Sequence, residues 1–363
     1  MTGMPDKHAF LSPSSSVRWY FCPPSARLCE QLPDQGSVFA SEGTEAHALC
    51  EFLLKDALGM ECADPRPTLQ YYTEEMEDAT RGYVRYILEK TAAYRAAAAG
   101  TGSGMPIVFV EQRLDLREYI PESMGTADCV ILAGNTAEVI DFKYGMHRVP
   151  ATSMQLRIYA LGACEVFSWL YDLKTVRMAI YQPRIGASDE TEMSVADLYA
   201  WAREELVPKA QQAFDGEGEF TCGEWCRMCR ARRNCRALAE YELELEKHGL
   251  AAPELLSDEE IAGILERIDG LVSWANGIRE YALENALNGH KYPGFRLAEG
   301  RTVRKFANDA EAAQRLESAG QDPWEKKLMS IPALEKMLGK RRFTELLSDL
   351  VVRPKGKMML VRV

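Results

Sequence analysis

The stretch Gly125-Thr126-Ala127-Asp128-Cys129-Val130-Ile131-Leu132-Ala133-Gly134-Asn135-Thr136-Ala137-Glu138-Val139-Ile140-Asp141-Phe142-Lys143 decides how this chain reads. Two apolar runs meet at Gly134-Asn135, a pair suited to a tight turn, so the pattern predicts a β-hairpin with strands over 126–132 and 137–144. Side chains alternate across a strand, so Asp141 and Lys143 share one face and Phe142 takes the other. Asp128 and Asp141 on neighbouring strands offer hard oxygens to Mg²⁺ or Mn²⁺. A lysine two residues after Asp141 can orient a water and stabilise charge on a phosphate. The plainer alternative is an ordinary exposed ion pair, because D-x-K triplets are common.

Working outward, residues 107–114 read as a further strand, and 45–58 and 74–99 as helices, the second ended by the glycine-rich turn 100–104. The first 35 residues look loop-rich, with Pro13, Pro23, Pro24 and Pro33 as breakers. Downstream, 152–167 reads as a helix, 176–182 as a strand, and 195–214 as a helix leading to the cysteine-rich segment 222–235. Beyond about residue 239 the chain turns helical and highly charged. There Ser257 and Glu260 form a capping-box pattern, apolar residues recur at helical spacing from Ile261 to Ile278, and Asn288-Gly289 stops the run. This order predicts an α/β core, a central mixed sheet flanked by helices, over 1–239, followed by a mostly helical region over 240–363.

Composition supports a globular fold. The 363 residues are 47% hydrophobic and 27% charged, which excludes intrinsic disorder and collagen-like sequence. With 43 basic against 54 acidic residues the net charge is −11, so bulk basicity cannot be what holds a nucleic acid. A groove lined by positive charge is still compatible with that balance. No basic stretch precedes an apolar run at the N-terminus. The most apolar helical stretch, 158–170, is short and interrupted by Glu165. A cytoplasmic location without membrane contact is therefore expected, with the ten cysteines as reduced thiols or metal ligands.

Further residues extend the hairpin constellation. Gly43-Thr44-Glu45-Ala46-His47 opens the early helix, and Gln155 and Tyr159 stand four apart on one face of the helix after the hairpin. The order G-x-x-x-H, G-x-x-D, D-x-K, Q-x-x-x-Y resembles the RecB-like branch of the PD-(D/E)XK nuclease superfamily, whose core is restriction-endonuclease-like. The resemblance implies that His47, Asp128, Asp141 and the backbone carbonyl of Ile140 bind Mg²⁺ or Mn²⁺. It also implies that Lys143 assists catalysis and that Gln155 and Tyr159 contact the active site or DNA. Glu111 on the preceding strand stands beside these residues with less support from the family pattern. The implied activity is a metal-dependent deoxyribonuclease, an exonuclease that resects DNA ends. The rival from another class is a catalytically inactive DNA-binding or assembly module on the same fold.

Cys226-x2-Cys229-x5-Cys235, with Cys222 four residues upstream, can form a local zinc knuckle on four thiolates. Cys22-Pro23 supplies a competing fourth ligand. RecB-like nucleases of the AddB and CRISPR-adaptation type are similar here, with one Cys-Pro before the core and three cysteines after it. That resemblance implies a [4Fe–4S] cluster on Cys22, Cys226, Cys229 and Cys235, clasping the two ends of the domain. Around it, Arg227, Arg230, Arg232, Arg233 and Arg236 face only Glu224, either a patch for phosphates or a solvated basic face. Cys29, Cys50, Cys62, Cys129 and Cys164 are expected to be small buried hydrophobes.

The C-terminal motifs are weaker. Residues 294–297 and 300–305 suggest a short basic extended segment, and 340–363 holds seven basic residues against Glu345 and Asp349. This arrangement resembles a phage- and prophage-encoded family of RecB-like proteins. It implies a role in phage replication or recombination inside a bacterial host, with a single-strand-annealing or single-strand-binding protein as partner.

Overall fold

The computed structural model describes residues 9–33, 36, 38–101, 104–248, 252–298, 307–324 and 328–352. Two short helices, Ser16–Phe21 (α1) and Ser25–Glu30 (α2), precede two long ones, Val38–Ala57 (α3) and Glu74–Thr101 (α4). Strands Ile107–Asp115 (β1), Met124–Ala133 (β2) and Thr136–Phe142 (β3) follow, then helix Met154–Phe167 (α5) and strands Thr175–Gln182 (β4) and Ala187–Ser194 (β5). Helix Val195–Trp201 (α6) passes through a π-helical turn, Ala202–Leu206, into Val207–Asp215 (α7).

The sheet is mixed, with strand order β1-β2-β3-β4-β5. β1, β2 and β3 form an antiparallel meander whose last turn is the two-residue loop Gly134-Asn135, closed by the pair Ala133 and Thr136. Gly134 takes φ +59°, the left-handed conformation that such a turn requires. β3 and β4 run parallel, so the chain must cross over between them, and α5 is that crossover. β4 and β5 pair antiparallel. α3 and α4 cover one face of the sheet, where Phe142, Ile140, Ile131 and Cys129 meet Leu49, Leu54, Tyr83 and Ile87. α1, α5, α6 and α7 cover the other, where Val130, Val139 and Met178 meet Trp19, Leu156 and Leu206. β3 is thus buried on both faces. Burying a side chain such as Phe142 there contributes roughly 2–3 kcal/mol.

The expected α/β class, with a five-stranded mixed sheet flanked by helices, is what forms. Three local expectations need correction. The first helix begins at Val38 and not near Glu45, so Gly43 lies inside it with open space around its Cα. The supposed N-terminal loop contains α1 and α2, because Trp19, Tyr20, Ala26 and Cys29 bury against the core and outweigh the prolines. β5 was not foreseen. Its sequence Ala187-Ser188-Asp189-Glu190-Thr191-Glu192-Met193-Ser194 is mostly polar, as an edge strand tolerates.

The chain divides into two compact units, Met1–Ile278 and Arg279–Val363. After the sheet, the first unit holds helix Arg236–Leu243 (α8) and most of helix Asp258–Leu287 (α9). The capping box forms as expected: the Ser257 N–H donates to Glu260 Oε2 (2.9 Å) and the Glu260 N–H to Ser257 Oγ (3.2 Å). The second unit holds helices Asp309–Ser318 (α10), Ile331–Leu338 (α11) and Lys340–Leu347 (α12), with Ala313 and Phe343 buried. The basic segment 300–305 and residues 353–363 of the tail lie outside the described residues. Among the described residues no helix is long and apolar enough to cross a membrane.

Candidate functional site

The hairpin opens into a fork. The β2–β3 pairs run from Ala133 and Thr136 to Cys129 and Ile140 and stop one residue short of Asp128 and Asp141. β3 instead keeps to β4, and the Lys143 N–H donates to the Tyr181 carbonyl (3.0 Å). The orphaned Phe142 N–H donates to Asp128 Oδ2 at 2.7 Å. A carboxylate therefore does the work of the missing ladder carbonyl, and this fixes Asp128 in the crotch of the fork.

Each neighbouring element sends one group towards it. From α3, His47 brings Nδ1 to 3.2 Å from Asp128 Oδ1, its ring edge-on to Phe142 with centroids 5.5 Å apart. From β1, Glu111 lies opposite Asp128, between the pairs Val110–Cys129 and Gln112–Ala127. Glu111 has φ +52°, an unfavourable conformation for a residue with a side chain, of the kind that clusters at functional sites. One ligand atom from each of His47, Glu111 and Asp128 falls within 4.8 Å of the others, a spacing suited to a metal ion. Motif order gave Glu111 little weight. Its place depends on register and on a left-handed backbone, neither of which any local pattern encodes.

On the Asp141 side, Lys143 Nζ lies 2.9 Å from Oδ2 and donates to Oδ1 at 3.2 Å. Asp141 is 2% exposed, and the Lys143 ammonium is the cation that offsets its buried charge. Lys143 Nζ also donates to Gln155 Oε1 (3.0 Å), and Gln155 Nε2 donates to the Tyr159 hydroxyl (3.1 Å). The D-x-K and Q-x-x-x-Y residues thus form one hydrogen-bonded chain across β3 and α5. Gly125 explains its own place in G-x-x-D: a Cβ there would stand 2.8 Å from the Tyr159 ring and 3.1 Å from Pro13. Gly43 has no comparable steric role. The Ile140 carbonyl accepts from the Tyr83 hydroxyl at 3.4 Å on the α4 side of the sheet.

Charge within the fork is unevenly distributed. Burial disfavours the Asp128 anion, but the His47 and Lys143 charges outweigh it and hold Asp128 below the usual carboxylate value. Burial, reinforced by Asp128, pushes Glu111 up to about 7. Burial also raises Asp141 against the opposing pull of Lys143. Lys143 and His47 resist desolvation because Asp141 and Asp128 stabilise their cations, and both titrate above their ordinary values. Once His47 and Glu111 give up their protons, three carboxylates face one lysine, which leaves room for a divalent cation.

Two residues that motif reading missed hold the loop beyond Lys143. Buried Gln182 accepts from the Val149 N–H (3.1 Å) and donates to the carbonyls of Gly145 and His147 (2.6 Å each). Asp189, on β5, accepts from the Ala151 N–H (2.9 Å). A polar residue at the end of an apolar strand was the available signal for Gln182.

Five of the ten cysteines gather in a cavity whose lining includes no fork residue. Cys22, Cys222, Cys226, Cys229 and Cys235 all line one cavity between α1 and the cysteine-rich segment. All five are soft sulfur donors, the ligand type that both iron–sulfur clusters and zinc sites use. Cys50, Cys129 and Cys164 are buried hydrophobes as expected, whereas Cys62 is exposed in the loop after α3, beyond the reach of either core. Cys29 is buried, but its Sγ lies 3.6 Å from Cys229 Sγ, and that contact holds its thiol well below the usual value. Phe21 stacks on Trp225 with centroids 4.6 Å apart, packing α1 on the cysteine-rich segment.

A family model described as "Protein of unknown function (DUF2800)" matches residues 8–363. A solved structure described as "Crystal structure of SSO0001" matches at 15% identity, over 56% of this chain and 98% of that one, with a TM-score of 0.22.

Proposed function

This chain belongs to the DUF2800 family of proteins of unknown function, and we propose that it is a metal-dependent DNA nuclease with a RecB-like PD-(D/E)XK core. One observation carries the reading. The fork sets His47, Glu111 and Asp128 within mutual ligand distance, beside the buried Asp141 carboxylate and the Lys143 ammonium paired with it. A divalent ion there would be held by His47, Asp128 and Asp141, with Glu111 as a further carboxylate. When bound, it supplies Lewis-acid activation of water and neutralises charge on a scissile phosphate.

The protein's own groups do the rest. Lys143 keeps its proton, because Asp141 and Asp128 stabilise the ammonium, so it acts as a fixed positive charge towards a phosphate oxygen and not as a base. Gln155 holds Nζ in place by accepting its hydrogen bond, and Tyr159 in turn holds Gln155. Gln182 and Asp189 hold the loop that follows Lys143 through its backbone groups. The exonuclease character, and a single-strand-annealing or single-strand-binding partner in phage recombination, rest on the family resemblance alone.

The thiol cavity supports a second metal centre on Cys22, Cys226, Cys229 and Cys235, a [4Fe–4S] cluster by resemblance, with zinc on Cys222, Cys226, Cys229 and Cys235 as the alternative. The cluster on Cys22 would clasp the N-terminal arm to a segment some two hundred residues away, whereas the zinc set would close only the local 222–235 loop. Digestion of end-labelled single- and double-stranded DNA with Mg²⁺ or Mn²⁺ tests the nuclease reading. Cleavage that EDTA abolishes supports it, and inert DNA under every metal condition refutes it.

A further inference from the structure

Cys29 belongs to none of the ligand sets that motif spacing suggests. Its buried side chain nonetheless meets Cys229, Sγ to Sγ, at 3.6 Å. Cys29 lies on α2 and is fully buried, whereas Cys229 is part-exposed in the cysteine-rich segment. The contact joins the two ends of the domain that the thiol cavity also joins. A disulfide needs sulfurs about 2.05 Å apart, so a closure of roughly 1.5 Å separates this contact from a covalent bond.

We propose that Cys29 and Cys229 form a reversible disulfide in the metal-free chain, and that this bond withdraws Cys229 from the metal centre. The second half rests on the metal-centre reading above; the first does not. The oxidant is a small disulfide such as oxidised glutathione. Cys229, the accessible partner, gives up its proton and attacks one of the oxidant's sulfurs, which breaks that S–S bond and releases one glutathione, which takes up a proton. Cys29 then attacks Cys229 Sγ and displaces the second. Two protein thiols lose two electrons and two protons, and two reduced glutathiones receive them. A disulfide sulfur is no thiolate ligand, so bond formation and metal loading exclude each other, and reduction reverses the bond.

The test uses the full chain, stripped of metal with EDTA and treated with oxidised glutathione without denaturant. Remaining thiols are alkylated, and peptides are mapped by mass spectrometry before and after reduction. The expected product is the Cys29 peptide joined to the Cys229 peptide, lost on reduction. Cys29→Ala should leave Cys229 as a glutathione adduct. Alkylated Cys29 alongside Cys229 bonded to another cysteine overturns the proposal. Reconstitution with ferrous iron and sulfide addresses the exclusion: the cross-linked chain should take up about tenfold less iron than the reduced chain. Equal uptake overturns the exclusion. A reduced chain that takes up no iron while the Cys29–Cys229 link forms removes the iron–sulfur reading and supports the disulfide on its own.

Discussion

The Lys143 ammonium donates to Gln155 Oε1 across 3.0 Å and so ties the end of β3 to the first turn of α5. The same Nζ lies 2.9 Å from Asp141 Oδ2, so Gln155 governs where the lysine charge sits relative to the carboxylate. Gln155→Ala should lower DNA cleavage by about 10- to 100-fold, on the scale set by misplacing a catalytic group, while the melting temperature changes little. Steady-state cleavage alongside thermal melts separates the two effects. A collapse in stability with normal cleavage by the folded fraction would make Gln155 a packing residue.

Gly125 is the backbone seat for Tyr159. Gly125→Ala puts a methyl 2.8 Å from the Tyr159 ring, and should cost about 1–3 kcal/mol by overpacking. In a Tyr159→Ala background most of that cost should vanish. A double-mutant cycle by denaturant unfolding reads the coupling. Additive losses would mean that Pro13, and not Tyr159, is what Gly125 accommodates.

Much of this site was legible in the sequence because β3 and α5 are read from local patterns: apolar alternation for one and a Gln/Tyr pair one turn apart for the other. Asp128, Asp141, Lys143, Gln155 and Tyr159 arrive together once the hairpin and crossover helix exist. Glu111 did not announce itself, since its approach depends on a left-handed backbone opposite Asp128. β5 was hidden because an edge strand needs few apolar residues, yet its Asp189 supports the loop after Lys143. Cys29 read as an ordinary core residue, because only the folded chain brings it against a residue two hundred positions away.

Glu111 carries a pH signature in the metal-free protein. Its folded value of about 7 lies above the ordinary 4.5, so the folded state keeps a proton that the unfolded state releases. The sign follows: this contribution to stability is present at low pH and is lost as pH rises from about 4.5 through 7. Glu111→Gln should therefore stabilise the EDTA-treated chain at pH 8 by on the order of 1–2 kcal/mol, and by much less at pH 5. Thermal melts at the two pH values check this. A variant equally shifted at both would show that charge burial is not the cause.

Protein purified without oxygen should be brown and contain about four irons per chain if the thiol cavity holds a [4Fe–4S] cluster. Cys22→Ser should bleach it and lower stability, because the clasp to the cysteine-rich segment opens, whereas Cys222→Ser should keep most of the colour. Colourless protein with one zinc, and Cys222→Ser as the damaging change, would establish the local zinc site instead.

The fork's chemistry is tested most directly by comparing wild type with Asp141→Asn on end-labelled DNA in Mn²⁺. Asparagine keeps the shape of the buried side chain and removes its charge, so fold and DNA access should persist. Wild-type protein should cleave, and the variant should retain less than about 1% of that rate, the scale of losing a group that acts in the transition state. Cleavage by Asp141→Asn at the wild-type rate would contradict the assignment of this fork as the active site.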